Sequence, residues 1–231
     1  MKIKLLAVLI ISGGLLIGNL SNAFALEGGD WMVRFGATMI DPNSGSDNAF
    51  LGATRLAGTD AEVDSDTQLG ITIEYMLTSN WGIELLLATP FEHDIEPNAA
   101  LAAVTGNSKA IGETDQLPPT LSLNYHFQPT AGWRPYVGVG INYTVFFNED
   151  TSGGLKTNLG YTSLDLDDSW GLALQAGVDI DLSANWFGNL NVRYIDIDTD
   201  ATAKRAGAAN LTIDNVEIDP WIYSIGIGTT F

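Results

Sequence analysis

The sequence predicts an all-β protein, a single eight-stranded antiparallel up-and-down transmembrane β-barrel. Three observations predict this class: eight runs alternate between apolar and polar residues, aromatic residues gather at the ends of the runs, and the connections alternate between short and long. Alternation with period two is the pattern of a strand whose two faces meet different surroundings. Each run is about as long as the 9–11 residues that a tilted strand needs to cross a bilayer.

The first element along the chain, residues 1–25, is predicted to be a signal peptide that is removed on export. Two lysines precede an unbroken apolar run at residues 5–11, and Ala23-Phe24-Ala25 has the small-residue pattern of a cleavage site. A membrane-anchoring helix is the less favoured alternative, because Ser12-Gly13-Gly14 interrupts the apolar run. The remaining residues, 26–231, are expected to form one barrel domain in the outer membrane of a Gram-negative bacterium.

The eight predicted strands follow in order, and each has one face that is apolar enough to meet lipid. They span residues 31–40, 68–77, 81–91, 117–127, 133–146, 169–182, 186–197 and 221–231. In the first strand Val33, Phe35 and Ala37 share a face, while Arg34 and Thr38 lie on the other. In the last strand the apolar face ends at the final residue, Phe231. Since lipid cannot satisfy free backbone groups, the strands must close into a barrel without edges.

The ends of the strands and the connections between them favour a membrane barrel over a soluble sandwich. Residues 78–80, 128–132 and 183–185 form tight turns, whereas residues 41–66, 92–115, 147–168 and 198–215 form long acidic loops. Short turns inside and long loops outside are typical of outer-membrane barrels, as are aromatic girdles at both interfaces. The expected girdle residues are Trp31, Trp81, Phe91, Phe127, Trp133, Trp170, Trp186 and Trp221.

Composition excludes several classes of function. The formal net charge is −18, so the chain lacks the basic surface that binds nucleic acid. It has no cysteine, so it has neither disulfides nor a thiolate metal site. No G-x-S-x-G or H-E-x-x-H motif is present, and His93 and His126 fall at opposite ends of the predicted barrel. We therefore expect no cofactor and no enzymatic activity, with a lipid-modifying enzyme as the least favoured alternative.

Five charged residues fall on the inward face of the predicted barrel: Arg34, Glu74, Glu84, Asp179 and Arg193. A basic residue that faced lipid at the midplane would cost roughly 2–4 kcal/mol, so these side chains must face the lumen. A salt-bridge network that holds the barrel together is the favoured interpretation, and direct contact with a ligand is the alternative.

Leu86 is the apolar exception among the inward residues, and it is the candidate constriction of the lumen. It either narrows a path for apolar solutes or simply packs the interior. Further apolar lining in the outer half is expected from Met32, Ile40, Phe146 and Ile222.

Three prolines mark one place in the wall. Pro90 ends the third strand, and Pro118 and Pro119 begin the fourth, its hairpin neighbour. Proline has no N–H to give to a ladder, so pairing is weakened there. The hypothesis is a seam through which an apolar ligand leaves sideways into the bilayer, and ordinary termination of the strands at the rim is the alternative.

The acidic loops offer two further readings. They either bind Ca²⁺ or Mg²⁺ shared with lipopolysaccharide phosphates or are simply solvated, and solvation is favoured because no spacing matches a calcium loop.

Several segments together resemble the outer membrane protein W (OmpW) family. They are Gln68-Leu69-Gly70, Ala88-Thr89-Pro90-Phe91 with His93, Leu117-Pro118-Pro119-Thr120-Leu121, Arg134-Pro135-Tyr136-Val137-Gly138, Gly140-Ile141-Asn142-Tyr143-Thr144, Asp168-Ser169-Trp170-Gly171, Gly177-Val178-Asp179, Asp196-Ile197-Asp198-Thr199 and Asp219-Pro220-Trp221. The resemblance spans the mature chain, and the outer loops fit least well. It implies a narrow, partly apolar lumen, passage of small hydrophobic compounds, and a C-terminal aromatic, here Phe231, that the barrel assembly machinery reads.

The function expected from these observations is conduction of small hydrophobic molecules by a monomeric barrel set among outer-membrane lipids and lipopolysaccharide. The alternative is a non-conducting surface barrel that stabilises the membrane or binds partners through its loops. Whether the lumen is open or filled separates the two.

Overall fold

A computed structural model describes residues 25–231. The predicted signal peptide lies outside the described residues, except for Ala25. Among the described residues no helix is long and apolar enough to cross a membrane. The strands are β1 (Trp31–Asp41), β2 (Phe50–Leu51), β3 (Thr54–Arg55), β4 (Ala61–Val63), β5 (Asp66–Met76), β6 (Trp81–Ala88), β7 (Phe91–Pro97), β8 (Gly112–Leu117), β9 (Thr120–His126), β10 (Trp133–Thr151), β11 (Ser163–Leu166), β12 (Ser169–Asp181), β13 (Trp186–Ile195), β14 (Asp198–Lys204), β15 (Leu211–Glu217) and β16 (Trp221–Thr230), and the helices are α1 (Ala99–Val104) and α2 (Gly153–Thr157).

Eight of these strands close into an antiparallel barrel, which confirms the predicted fold class. Their order is β1–β5–β6–β9–β10–β12–β13–β16, and β16 pairs with β1 to complete the ring. Closure pairs the backbone groups that an open edge would leave bare in lipid. The tight turns after β5, β9 and β12 lie at one rim, which is the periplasmic rim of such a barrel.

Side chains alternate in burial along the barrel strands, as period-two alternation requires. In β1, Arg34 and Thr38 are buried in the lumen, whereas Trp31 and Phe35 are exposed on the outer surface. Rings pair at both rims: Trp31 lies 4.9 Å from Tyr75 between ring centroids. The outer rim has equivalent pairs, Tyr143 with Trp170 and Tyr194 with Trp221.

Phe91 does not belong to the aromatic girdle, so that prediction is wrong. Its side chain is buried inside the barrel, with 1% of its surface exposed. Thr89 and Pro90 are both exposed, so the alternation slips by one residue between β6 and β7. The slip turns Phe91 inward, although an unbroken strand over residues 81–91 would turn it outward.

The four predicted outer loops carry regular structure of their own. Strands β4, β7 and β8 add a sheet to the outer part of β10, and β11, β14, β15, β2 and β3 form a second sheet. The two sheets enclose a separate apolar core, which we call the cap core. It comprises Ala49, Ala61, Ile95, Leu101, Ile111, Leu155, Tyr161, Leu164, Ala201, Ala203, Leu211, Ile213 and Val216. The barrel therefore continues outward as a folded cap.

Candidate functional site

Arg34 lies at the centre of a buried group of charges in the lumen. Its guanidinium donates to both carboxylate oxygens of Asp179, from Nε at 3.0 Å and from Nη2 at 2.7 Å. Its Nη1 donates to Glu74 at 2.8 Å and to Glu84 at 3.2 Å. Two parallel bonds from one guanidinium to one carboxylate fix both position and orientation. Arg34 thus joins strands β1, β5, β6 and β12 across the lumen.

Arg193, on β13, is the second cation of the group. Its Nη2 donates to Glu84 Oε1 at 2.6 Å and to Gln175 Oε1 at 2.7 Å. The amide of Gln175 donates in turn to Asn124 Oδ1 at 2.6 Å. Each carboxylate therefore meets at least one cation, which offsets the cost of burying its charge.

Imidazole, amide and phenol side chains complete the arrangement. His126 Nε2 lies 2.9 Å from Glu74 Oε1, and Asn124 donates to the same oxygen at 3.1 Å. The Tyr136 hydroxyl accepts from Asn189 and from Asn191, each at 3.1 Å. These contacts close the lumen with hydrogen bonds between side chains from opposite walls.

We call this set the polar network: Arg34, Glu74, Glu84, Asn124, His126, Tyr136, Gln175, Asp179, Asn189, Asn191 and Arg193. Every barrel strand except β16 contributes to it. Sequence reasoning named its five charged members, and the structure brings all five together. It missed the other six members, whose only signal in the sequence is that they occupy inward positions of the strands. The cavity beside Arg34, Tyr136 and Arg193 has a volume of about 30 Å³, little more than the room for a water molecule.

Apolar side chains fill the outer half of the lumen. Eight buried residues form one cluster, which we call the apolar lumen cluster: Ile40, Phe91, Phe146, Ala173, Ile195, Ile197, Ile218 and Ile222. It lies on the outer side of the polar network and continues toward the cap core. The prediction that Met32 adds to this lining is wrong. Met32 packs with Leu26, Met76 and Phe187 at the periplasmic end. Met32 is the second residue of β1, and β1 begins at the periplasmic rim.

Leu86 lies at the boundary between the two halves. It is buried, and it lines the cavity that Arg34 and Arg193 also line. Its neighbours across the ladder are Thr72 and Thr120. Glu84 precedes it on the same face and belongs to the polar network. Leu86 is therefore an apolar inward residue next to buried charges.

The wall has a gap beside the apolar lumen cluster. The β6–β9 ladder ends with Leu86 opposite Thr120, and the β7–β8 ladder starts with Phe91 opposite Gln116. Among the described residues, no backbone pairing joins residues 87–90 to residues 117–119. The register also shifts by one residue across the gap. Pro90, Pro118 and Pro119 all lie in this unpaired stretch.

Two further predicted features have defined places. Phe231 is exposed at the periplasmic rim, where its N–H donates to the Trp31 carbonyl at 2.9 Å. Of the acidic side chains, Asp196, Asp198 and Asp219 approach one another within 4.8 Å. Exposed carboxylates gather in this way in many proteins that bind no ion. No role as a metal site is assigned to them.

Comparison with known proteins matches the whole described barrel. The model of the OmpW family matches residues 27–231. Outer membrane protein W of Vibrio cholerae is 43% identical over 224 residues, which cover 96% of this chain and 98% of that protein. The crystal structure of the outer membrane protein OprG from Pseudomonas aeruginosa superposes with a TM-score of 0.83 at 38% identity and covers 90% of this chain and 98% of that one.

A more distant relative adds a different name. The dibenzothiophene metabolism operon protein PahQ of Pseudomonas aeruginosa is 27% identical over 208 residues, which cover 89% of this chain and 90% of that protein. Its match again spans most of this chain.

Proposed function

The chain belongs to the OmpW family of bacterial outer-membrane barrels, and on that premise we propose that it conducts small hydrophobic molecules inward across the outer membrane. The single observation that carries the proposal is the division of the lumen into an apolar outer half and a closed polar inner half. In this proposal a solute enters through the cap, rests against the apolar lumen cluster, and leaves sideways through the wall.

The apolar lumen cluster supports the entry step. A hydrophobic solute that moves from water onto buried isoleucine and phenylalanine side chains gains about 25 cal/mol for each Å² of apolar surface that it buries. A charged or strongly hydrated solute gains nothing comparable and loses its water. The outer half of the lumen therefore favours the solute class that the lipopolysaccharide layer holds back.

The polar network supports the sideways exit. An apolar solute that passed straight through would have to part Arg34 from Asp179 and Glu74, and parting buried ion pairs costs several kcal/mol. The solute offers no hydrogen bonds in exchange. We therefore propose that the path stops at Leu86, the constriction, and turns toward the bilayer.

The gap between residues 87–90 and 117–119 supports the place of exit. Opening a stretch of wall that has no ladder hydrogen bonds breaks fewer interactions than opening one of the paired ladders. Pro90, Pro118 and Pro119 have no backbone N–H, so a continuous ladder of hydrogen bonds cannot form across this stretch. We propose this stretch as the lateral seam.

A relative gives this reading a chemical context. PahQ bears the name of a dibenzothiophene metabolism operon, and dibenzothiophene is a small, largely apolar aromatic compound. The proposal extends that class of compound to this chain. It assigns no catalysis to the barrel. Its expected surroundings are outer-membrane lipids and lipopolysaccharide, and the assembly machinery is proposed to read Phe231.

One observation favours the second candidate, a non-conducting barrel that stabilises the membrane or binds partners. The lumen is filled, with room beside Leu86 for little more than a water molecule. Conduction then requires side chains to move as the solute passes, whereas a structural barrel requires no such movement.

The test measures uptake of radiolabelled n-octane by cells that carry the wild-type barrel, a variant, or no barrel. Leu86→Arg is expected to abolish the uptake that the barrel adds, because it places a charge at the constriction. Leu182→Arg, at the exposed end of a periplasmic turn, is the matched control. Both must shift on gels as folded barrels do. Wild-type uptake equal to that of barrel-free cells would favour the second candidate.

A crosslink tests the exit separately. The chain has no cysteine, so an engineered pair has no competitor. Ala88→Cys with Pro118→Cys spans the seam, and Met39→Cys with Tyr223→Cys spans the paired ladder between β1 and β16. Oxidation is expected to block uptake in the first pair and not in the second, and a reductant is expected to restore it. Unchanged uptake across a closed seam would reject the lateral exit and keep conduction.

A further inference from the structure

Two buried side chains on the outer side of the seam have polar atoms without hydrogen-bond partners among the described residues. Gln116 is fully buried, and neither its amide nitrogen nor its amide oxygen has a hydrogen-bond partner among the described residues. His93 is 3% exposed, and its Nε2 is likewise without a partner in the described part of the chain. A buried polar atom without a partner is destabilising, because it has lost its hydrogen bonds to water. Unpaired polar atoms on two neighbouring side chains point to a group that binds between them, either water or part of a ligand.

Both side chains line the same cavity. Gln116 lies on β8 opposite Phe91, and His93 lies on β7 opposite Thr114, so they are diagonal neighbours across one antiparallel ladder. Long side chains at diagonal positions are within reach of each other. Apart from Thr114 and Thr199, whose hydroxyls donate to backbone carbonyls, the remaining walls are apolar and include Ile95, Phe146, Leu166, Ile213, Val216 and Ile218. This cavity links the apolar lumen cluster with the cap core.

The hydrogen-bonding capacity of the site can be assigned. His93 Nδ1 lies 2.7 Å from the backbone carbonyl oxygen of Asp64, which can only accept, so Nδ1 carries the hydrogen. Nε2 of the neutral ring is then an acceptor. His93 lies beyond the outer girdle, and burial lowers its pKa, which keeps the ring neutral near pH 7. Gln116 offers both a donor and an acceptor.

The site therefore needs a ligand group that donates to one side chain and accepts from another. The cavity volume is about 20 Å³, which suits one group of about the size of a water molecule. A hydroxyl has that size and both capacities. A ketone or ester cannot donate to His93, and a hydrocarbon satisfies neither residue. A carboxylate is disfavoured by the nearby acids Asp64, Asp66 and Asp115.

We propose that Gln116 and His93 form a subsite for the hydroxyl group of an otherwise apolar ligand, an aliphatic alcohol or a phenol. The hydroxyl donates to His93 Nε2 and accepts from Gln116 Nε2, and side chains of the apolar lumen cluster move aside to make room for the apolar body, as conduction through the filled lumen also requires. The inference rests on the proposed function, since it names which hydrophobic solutes the outer lumen prefers.

The test uses the full barrel in lipid nanodiscs, with the ¹⁵N resonance of His93 Nε2 as the probe. 1-Octanol is expected to shift it toward the value of a hydrogen-bonded acceptor, and n-octane at equal concentration in the membrane is not. Gln116→Met keeps the shape of the side chain and removes its hydrogen bonds. It is expected to raise the half-saturating 1-octanol concentration roughly tenfold, the loss of about one hydrogen bond. Gln128→Met, in an exposed periplasmic turn, is the control.

The outcomes separate the inference from the proposed function. A resonance that is already hydrogen-bonded before 1-octanol is added and does not move means that only water occupies the site, and it overturns the inference. So does an equal response to both probes. If n-octane still enters cells through the barrel in either case, conduction stands without a hydroxyl subsite. If n-octane does not enter but 1-octanol still shifts His93, the site binds a ligand and the barrel does not conduct.

Discussion

The inner and outer halves of the lumen are built by the same alternating strands, yet their chemistries are opposite. In the inner half, charged side chains from facing walls pair with one another, and all the strand ladders are continuous. In the outer half the lining is apolar and one ladder is interrupted. The two halves therefore differ both in the side chains that face the lumen and in the continuity of the wall.

The difference separates directional interactions in the inner half from non-directional packing in the outer half. Buried ion pairs that span a lumen contribute rigidity, because breaking one leaves a charge without a partner in a low-dielectric interior. Apolar packing is non-directional and re-forms after a side chain moves. Under the proposed function, the directional interactions lie on the periplasmic side of the solute site.

Removing the central cation, Arg34, is expected to have the largest effect on stability. Arg34→Met leaves Asp179 and Glu74 buried without their main partner, so it is expected to lower the free energy of unfolding by about 3–5 kcal/mol. Arg55→Met, on an exposed strand of the cap, is the matched control, with an expected change within about 0.5 kcal/mol. Urea unfolding in lipid vesicles measures both. If both variants lowered the free energy of unfolding by the same small amount, the polar network would not stabilise the barrel.

Removing the Tyr136 hydroxyl tests whether the amide and phenol members of the polar network contribute to stability. Tyr136→Phe deprives Asn189 and Asn191 of an acceptor while it keeps the ring in place. The expected loss is about 1–3 kcal/mol, the cost of leaving buried donors unsatisfied. Tyr125→Phe makes the same change on the lipid-facing side of β9 and is expected to cost much less. If the two variants unfold together, the Tyr136 hydroxyl contributes nothing to the network.

In the outer half the same reasoning predicts a gentler response. Ile40→Val removes one methylene from the apolar lumen cluster, and such changes cost about 0.5–1.5 kcal/mol. Ile225→Val, at a lipid-facing position of β16, is expected to change stability by less, because lipid fills the space. Urea unfolding under the same conditions provides the scale. If Ile40→Val lowered the free energy of unfolding as much as Arg34→Met, the two halves of the lumen would not differ in their contribution to stability.

The barrel and the charged part of the polar network were predictable from sequence, for one physical reason. Lipid demands an apolar face at every second residue and forbids unpaired charge, so the period and the charge together placed Arg34 and Glu84 inside. Neutral residues carry no such penalty. Asn124 and Gln175 were therefore recognisable as inward but not as partners of the charges. Their roles depend on distances across the lumen, which the order of the chain does not contain.

Two features escaped sequence reasoning because they depend on local geometry. The turn of Phe91 into the lumen follows from the slip at Thr89 and Pro90, where two exposed residues stand in succession. The cap core was hidden because its apolar residues are scattered among Gly, Asn and Asp, with strands as short as Ala61–Val63. Such strands gain their stability from packing across loops that are distant in sequence. Gln116 and His93 became candidates only when their environment was known.

The smallest expected effect concerns pH and belongs to the outer half alone. Burial lowers the pKa of His93 below its ordinary value of 6.5, so the opened or unfolded cap binds a proton more readily than the folded cap. The stability that the neutral ring contributes is present above pH 6.5 and is lost as pH falls toward the folded-state pKa. Protection of the amides in β7 and β8 against hydrogen exchange is therefore expected to be lower at pH 5.5 than at pH 7.5.

The control separates His93 from the other titrating groups. Ordinary carboxylates stay ionised through most of this range, and the chain has only two histidines. His126 lies on β9 in the polar network, where it contacts Glu74, and not on β7 or β8. His93→Gln is expected to remove the pH dependence in β7 and β8. If that dependence survives the substitution, the outer half responds to pH through its exposed acids, and His93 is not the group that couples the cap to protons.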